Sequence, residues 1–599
     1  MDQGFAKAGT ALALFALLSA CAARRAEERR AQEAARLHNN FHRSFEETLE
    51  LDAVFASEIG DDRYNDRLNN FLSPEFRERK RRHHQRWLDE VRLIDESLLS
   101  RQDRLSREIF VLEQEKELDG LRFPSHLLPV SQLFSVPSLF AKIASGRGDH
   151  PFRSERDYRD FLSRIEAWVP VSRQIITNLR QGMRQGVVQP RVLIEKALPE
   201  LESLATGEIE ESLFYGPLER LPEGMDEAAR ERLRDEYATA LREQLQPSYR
   251  AIYDFVRDEY LPACRETVGM WALPEGRAWY AHRIRVQTTT DRGAEEIHHL
   301  GRREVERLRG EMVRVVEEAG FGGTLEEFLH HLETDPRFYF TDPEDLLQAY
   351  RDVRPVVEAR LPELFDLAPR TDYEILPVPA VYAAQAPAAI YDQGSADGTR
   401  PAAFYVNTSN LPTRPSYQIE ALFLHEASPG HHFQGSVIRG LEELPAFRRY
   451  LSLNAYFEGW ALYAESLGWE LGLYRDPYQR YGQLHLELLR AMRLVVDTGL
   501  HHYGWSADEA VAYMTRHSSL SRDEATVEVE RYIAWPAQAL GYTLGKLTIS
   551  GLRSDAERQL GDRFDVKAFH REILVDGPLP LEVLEAKVGE WIAASKDAG

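Results

Sequence analysis

The stretch Ala421-Leu-Phe-Leu-His-Glu-Ala-Ser-Pro-Gly-His-His-Phe-Gln434 sets the strongest constraint on this chain. It gathers three imidazoles and a carboxylate between His425 and His432, at the end of an apolar run with helical spacing (Ile419, Leu422, Phe423). A zinc-protease helix normally carries His-Glu-x-x-His, because residues four apart share one face and can grip a single ion while the Glu after the first His polarises water. Here the fourth position after His425 is Pro429, so the simple motif fails and the second ligand has to be His431 or His432. In an unbroken helix rising ~1.5 Å per residue, those imidazoles would stand ~9–10 Å from His425 along the axis, too far to share a metal with bonds of ~2.0–2.1 Å. Pro429 removes a helix hydrogen bond and Gly430 permits unusual dihedrals, so this dipeptide can bend His431 back towards His425.

A catalytic ion also needs a third protein ligand and one position left for water. The segment Ala455-Tyr-Phe-Glu-Gly-Trp-Ala-Leu-Tyr-Ala-Glu465 is an otherwise apolar helix with two carboxylates seven apart, hence on one face. A carboxylate in such a segment is costly unless it is paired or metal-bound. Glu458 is read as the ligand and Glu465 as the group that orients a ligating imidazole. Pairing of both with buried arginines is the structural alternative.

Several motifs in order resemble one bacterial family, the domain-of-unknown-function 885 family. They are His425-Glu-Ala-Ser-Pro-Gly-His-His-Phe-Gln434, Phe457-Glu-Gly-Trp-Ala-Leu-Tyr-Ala-Glu465, Arg493-Leu-Val-Val-Asp-Thr-Gly-Leu-His501 and Pro536-Ala-Gln-Ala-Leu-Gly-Tyr-Thr-Leu-Gly545, with Thr288-Thr-Thr-Asp291 and Glu296-Ile-His-His-Leu-Gly301 upstream. The resemblance implies a mainly α, zincin-like helical metallopeptidase fold with a deep cleft and a small β-sheet next to the metal-binding helix, distantly similar to thimet oligopeptidase and angiotensin-converting enzyme. Dipeptidyl peptidase III, whose His-Glu-x-x-Gly-His keeps Gly before the second His, favours Gly430-His431 as the match and leaves His432 open. The resemblance further implies Zn2+ as cofactor, Glu426 as general base, Tyr542 as the hydrogen-bond donor to the developing oxyanion, and His501 as a transition-state donor, although its place in the sequence equally suits the cap of a helix end. His298 and His299 are expected to be structural, and Arg493 and Asp497 to be support.

The N-terminus sets the compartment. Lys7 precedes the apolar run 11–18, too short for a transmembrane helix of ~20 residues, and Leu18-Ser-Ala-Cys21 resembles a bacterial lipobox. Residues 1–20 are therefore expected to be a lipoprotein signal peptide, Cys21 the lipid-bearing residue and 21–40 a tether. Ala22 favours the periplasmic face of the outer membrane, by resemblance to sorting rules. With Cys21 acylated, Cys264 is the only thiol left and no internal disulfide can form. The formal net charge of −23 argues against nucleic acid, since a duplex binder needs a basic face. Nothing in the sequence specifies an oligomeric state.

Residues 41–270 are expected to form an N-terminal helical wall and 271–599 the catalytic region. Ser73-Pro74 opens a helix in which Phe76, Trp87, Val91, Ile94 and Leu98 recur at helical spacing, with a basic cluster (Arg77 to Arg86) read as a solvated face. Thr290-Asp291 starts another helix that Gly320 stops, and Thr324-Leu-Glu-Glu327 spells a capping box. At 371–410 the pattern turns to strands: Tyr373-Glu-Ile-Leu-Pro-Val-Pro-Ala380, then two short strands about a Gly/Asp turn over 389–407. Phe404-Tyr-Val-Asn407 is expected to be an exposed edge strand able to hold an extended short peptide beside the metal. The function these readings favour is zinc-dependent hydrolysis of peptide bonds in short peptides. Two others fit the same residues: a peptide-capturing lipoprotein in which Pro429 has spoiled the metal geometry, and a zinc amidohydrolase acting on non-peptide amides.

Overall fold

The computed structural model describes residues 2–597 except 134, 147, 223, 380–382, 384, 385 and 395–400, with backbone alone at 2–20 and 22. The side chains of the proposed signal peptide and the expected Gly/Asp turn lie outside the described residues. The chain is mainly α-helical with one small sheet. Helix α1 (Asp2–Leu51) buries Leu37 and Phe41 against Trp87 and Phe110, so its packed part begins inside the segment expected as a tether. Helix α2 (Pro74–Arg92) starts as its sequence predicts: Pro74 opens the first turn and the Ser73 side chain caps it by accepting from Phe76 N at 3.2 Å. The basic residues of α2 are answered by acids on their neighbours. Arg86 donates to Glu47 of α1, and Lys80 lies 2.8 Å from Glu117 of α3 (Arg101–Gly120).

The first half has its own core, built from residues between Leu72 and Cys264 around Tyr158, Phe161, Trp168 and Tyr249. Further on, α4 (Gly276–Thr288) and α5 (Ala294–Glu318) follow, and Gly320 ends α5 in the left-handed region at φ 67°. Thr324 and Glu327 form the expected capping box.

The sheet has the order β1-β3-β2, with β1 (Tyr373–Pro377) parallel and β2 (Ala389–Asp392) antiparallel to β3 (Ala402–Val406). Phe404–Val406 therefore lies on the central strand, not an edge, which corrects the expectation above. The reason is legible afterwards: Ala402, Ala403, Phe404 and Val406 are all buried, and a strand apolar on both faces is one that is covered on both. Proline keeps to places where a missing donor is tolerated, Pro377 at the end of edge strand β1 and Pro401 just before β3.

The sheet packs on α6 (Ile419–Glu426), α7 (His431–Arg439) and α8 (Asn454–Ser466) through one core that joins Phe404, Phe423, Phe433 and Trp460. Helices α9 (Pro477–Thr498), α10 (Arg522–Ala534) and α11 (Gly541–Leu560) complete the surroundings. Helix α8 runs against α11 at glycine contacts: a Cβ on Gly459 would stand 2.4 Å from Gly545 Cα, and one on Gly545 would stand 2.0 Å from Ala455 O. This close approach carries Glu458 and Tyr542 to the same place. Among the described residues no helix is long and apolar enough to cross a membrane. Cys21 is exposed and Cys264 buried.

Candidate metal centre

Helix α6 ends at Glu426 and α7 begins at His431, with a break over Ala427–Gly430 that contains a cis Ser428–Pro429 peptide bond. Gly430 makes the break tight, since a Cβ there would lie 2.0 Å from His425 O and 2.3 Å from Leu424 O. Trp460 of α8 pins the bend by donating its indole N–H to Pro429 O at 2.8 Å. His431 consequently returns to His425, with ring centroids 4.9 Å apart and planes at 86°.

Helix α8 then presents Glu458. Its Oε2 is 3.6 Å from His425 Nε2 and 3.5 Å from His431 Nε2. These distances are too long for good hydrogen bonds, and Oε2 is buried without a hydrogen-bond partner. They do suit an ion: ligand atoms ~2.0–2.1 Å from a tetrahedral centre stand about 3.3 Å apart. His425, His431 and Glu458 thus form a cluster that could hold a metal ion, and an orphaned buried carboxylate oxygen between two imidazole nitrogens is the feature that fits one.

Glu465, one heptad along α8, has no solvent exposure and lies 2.8 Å from His425 Nδ1 through Oε1. That contact makes Nδ1 the protonated nitrogen and turns the Nε2 lone pair towards Glu458 and His431. The electrostatics ask for positive charge. Burial works against an imidazolium at His425, yet Glu458, Glu465 and Glu426 outweigh it and push the group up to about 9.

His432 points elsewhere. It is buried against Tyr373, ring centroids 4.4 Å apart, with Nδ1 3.2 Å from the Tyr391 hydroxyl, and burial pushes it down to about 4. The alternative that the sequence left open falls to His431 in the cluster. Glu426 is half-buried directly after His425, and its carboxylate is hydrogen-bonded to no described residue. Tyr542, in the first turn of α11, lies nearly parallel to His425 (centroids 6.5 Å apart, 13°), while Arg493 stands 4.6 Å over its ring. Burial, and then Glu458, raise its hydroxyl above the ordinary tyrosine range.

His501 is not brought to this cluster. Its Nδ1 accepts from Met270 N at 3.1 Å, its Nε2 donates to Tyr532 O at 3.0 Å, and burial pushes it down to about 3. With both ring nitrogens taken by backbone, it has no proton to offer a substrate, and the expectation of a transition-state donor is corrected to a buried strut. His298 bonds Thr498 Oγ1 at 2.9 Å, and His299 is exposed. Arg493 and Asp497 do not pair with each other: Arg493 reaches Tyr532 and Glu528, and Asp497 takes Tyr280 and the Ala537 N–H. Sequence reasoning missed Glu528 and Arg531 of α10, which join Arg493 behind Tyr542. Nothing in a polar helix without a motif marks them.

No curated protein matches the chain. Among solved structures, a candidate lipoprotein from Colwellia psychrerythraea is 26% identical, covers 94% of this chain and 99% of its own, and superposes with a TM-score of 0.87. A candidate lipoprotein of unknown function from Shewanella oneidensis is 16% identical, covers 92% of this chain and 99% of its own with a TM-score of 0.71, and shares the fold. Residues 54–588 match the family described as bacterial protein of unknown function (DUF885), and the chain belongs to that family.

Proposed function

We propose that the protein is a zinc-dependent peptidase of the cell envelope, lipid-anchored through Cys21 on the periplasmic face of the outer membrane, that hydrolyses peptide bonds in short peptides. The observation that carries the reading is the convergence of His425 Nε2, His431 Nε2 and the orphaned Glu458 Oε2. Two imidazole nitrogens and one carboxylate oxygen are the donor set of a catalytic zinc that keeps a fourth position free. When bound, such an ion polarises a carbonyl and lowers the pKa of water to about 7.

The remaining work falls to side chains of this chain. Glu426 takes the proton of the attacking water and passes it to the leaving amine. Tyr542 donates its hydroxyl proton to the oxygen on which charge develops. Glu465 holds the His425 tautomer, and Trp460 holds the bend that carries His431. The edge strand next to α6 is β2, whose outer edge suits an extended peptide held by main-chain hydrogen bonds that are indifferent to side-chain identity. The envelope location is supported by Leu18-Ser-Ala-Cys21 and by the description of the Colwellia relative as a candidate lipoprotein.

Metal analysis of protein purified without chelator should give about one zinc per chain. Mass spectrometry of a mixed pool of short peptides should show cuts by the wild type and none by Glu426→Gln at equal zinc content. Zinc-free protein, or undiminished activity in Glu426→Gln, would remove the reading. Loss of fatty-acid label in Cys21→Ser, expressed in a diderm bacterium, tests the anchor.

A further inference from the structure

A cavity of about 790 Å³ lies between the N-terminal helices and the segment that leads into α8. Phe45 of α1, Phe76 of α2, Phe110 of α3 and Phe140 of the helix Val136–Ala144 line it, and Phe447 and Tyr450 to Ser452 close it just before α8 begins at Asn454. None of His425, His431 and Glu458 lines it. Pockets that take small molecules run to about 300–1,000 Å³, so this one has room for such a ligand.

Most of the wall is apolar. Leu68, Leu72, Val136 and Trp168 line one stretch and pack in the core of the first half, with Trp168 stacked on Phe140 at 4.4 Å between ring centroids. Along another, Phe45 and Tyr450 stack at 5.9 Å with Phe55 edge-on to both. Phe71 and Leu139, which also line it, are 38% and 53% exposed, so the apolar wall runs out to solvent.

The charged and amide side chains of the wall are committed to neighbours. His83 pairs with Thr48 and Glu47, His84 Nδ1 with Gln114 Oε1 at 2.8 Å, and Lys80 with Glu117 at 2.8 Å. Glu113 meets Lys116, Asp52 caps the helix Ala53–Glu58, and Asn69 donates to Glu50 O and Leu51 O. Arg77 is the exception, here and among the basic residues of α2. It lines the cavity half-buried, donates Nη1 to His126 Nε2 at 3.0 Å and Nη2 to Leu121 O at 3.2 Å, and faces no carboxylate among the described residues. His126 brings no negative charge, because a guanidinium can only donate and the neutral imidazole accepts from it. Burial pulls Arg77 below the ordinary arginine range. A guanidinium carries five N–H donors, so these two bonds leave it others to give.

We propose that this cavity binds a fatty acid, its carboxylate on Arg77 and its hydrocarbon chain along the apolar wall. An unbranched chain with one terminal anion needs a cation and apolar surface, and the cavity provides those two things. An extended peptide fits worse. Each of its residues would give up hydrogen bonds to water from N–H and C=O, and a wall whose polar groups are committed returns none. A phosphate head would add a second negative charge, while Lys80, one turn from Arg77 on α2, already answers Glu117. The site is separate from the metal centre and does not depend on the peptidase reading.

The experiment is calorimetric titration of full-length Cys21→Ser protein, which carries no acyl chain of its own. The ligands are dodecanoate, decanoate, dodecanol, monododecyl phosphate and N-acetyltrileucine. Dodecanoate should bind at least about tenfold tighter than dodecanol, the scale of a hydrogen bond to a charged group. Decanoate should bind about tenfold weaker than dodecanoate, the effect of two buried methylenes. Arg77→Gln should bring dodecanoate to the affinity of dodecanol and leave dodecanol unchanged. Leu139→Asn, at a side chain more than half in water, should weaken both alike, and it keeps the test valid if Arg77→Gln misfolds. No binding of dodecanoate, equal affinity for dodecanol, or no effect of chain length overturns the proposal. So does wild-type affinity in both variants, or tighter binding of the phosphate or the peptide than of dodecanoate.

Discussion

Glu465 Oε1 lies 2.8 Å from His425 Nδ1, and neither side chain is open to solvent. The pair fixes which nitrogen of His425 can face an ion, so under the proposed reading the carboxylate would act on a bound ion through the imidazole and not as a ligand. Glu465→Gln should therefore lower zinc affinity by about 10–100-fold, the usual cost of losing such an orienting partner. Glu458→Gln, which removes a donor atom, should lower it further. Competition with a chromogenic chelator measures both, and the opposite order would exchange the two roles.

The approach of Gly430 to His425 O leaves no room for a methyl group. Gly430→Ala has to open the bend, and overpacking of this kind costs about 1–3 kcal/mol. The displaced residue next in sequence is His431, so zinc affinity should fall by more than the stability change alone accounts for. Thermal unfolding with and without zinc separates the effects: a variant that melts lower but binds zinc as the wild type does would free the bend from any role in placing His431.

How much of this was legible in the residues depends on how local the cause is. Ser73-Pro74 and Thr324 to Glu327 are caps, decided by hydrogen bonds within one turn, and the structure has them where the sequence puts them. The bend after Glu426 was legible because proline and glycine act on their own backbone. The strand order was not, since Phe404–Val406 is central only by virtue of partners on both sides that its own alternation does not name. His501 failed for the same reason. Its motif position gave no sign that the N–H of Met270 and the carbonyl of Tyr532 would claim both of its nitrogens. Arg493 and Arg531, which meet at Glu528 behind Tyr542, come from two helices, and a spacing argument within one helix cannot find a charge cluster built between two.

Three buried histidines contribute to a pH dependence of stability. His150 lies between the Arg164 guanidinium and Asp157 O, His501 between Met270 N and Tyr532 O, and His570 between the Tyr463 hydroxyl and Leu364 O. Each is held as one neutral tautomer. Burial, joined by Arg164 at His150, pushes them down to about 3, 3 and 4. The unfolded chain protonates them near the ordinary value of about 6.5, so in the window below it the unfolded state binds more protons. Their stabilisation is complete above that value and is lost as pH falls towards 3 to 4. Between pH 6.5 and 5 each is worth about 2 kcal/mol. Asp497, pushed up to about 7 by burial, has the opposite sign and offsets one of them. The urea midpoint should fall on acidification from about pH 7 to 5, and a midpoint that holds or rises would contradict the three neutral assignments.

Tyr542 is the side chain whose removal separates transition-state help from binding. Its ring is fixed on both sides, by the nearly parallel His425 ring and by the Arg493 guanidinium over its face, and both contacts survive in Tyr542→Phe. What is lost is the hydroxyl alone. If that hydroxyl donates to the oxygen where charge develops, it is worth more in the transition state than in the bound substrate. The turnover number kcat should then fall by about 10²–10³ while KM and zinc content stay as they are. A raised KM at unchanged kcat would instead make Tyr542 a contact to the bound substrate, and unchanged kinetics would leave the stabilisation of the oxyanion to the ion.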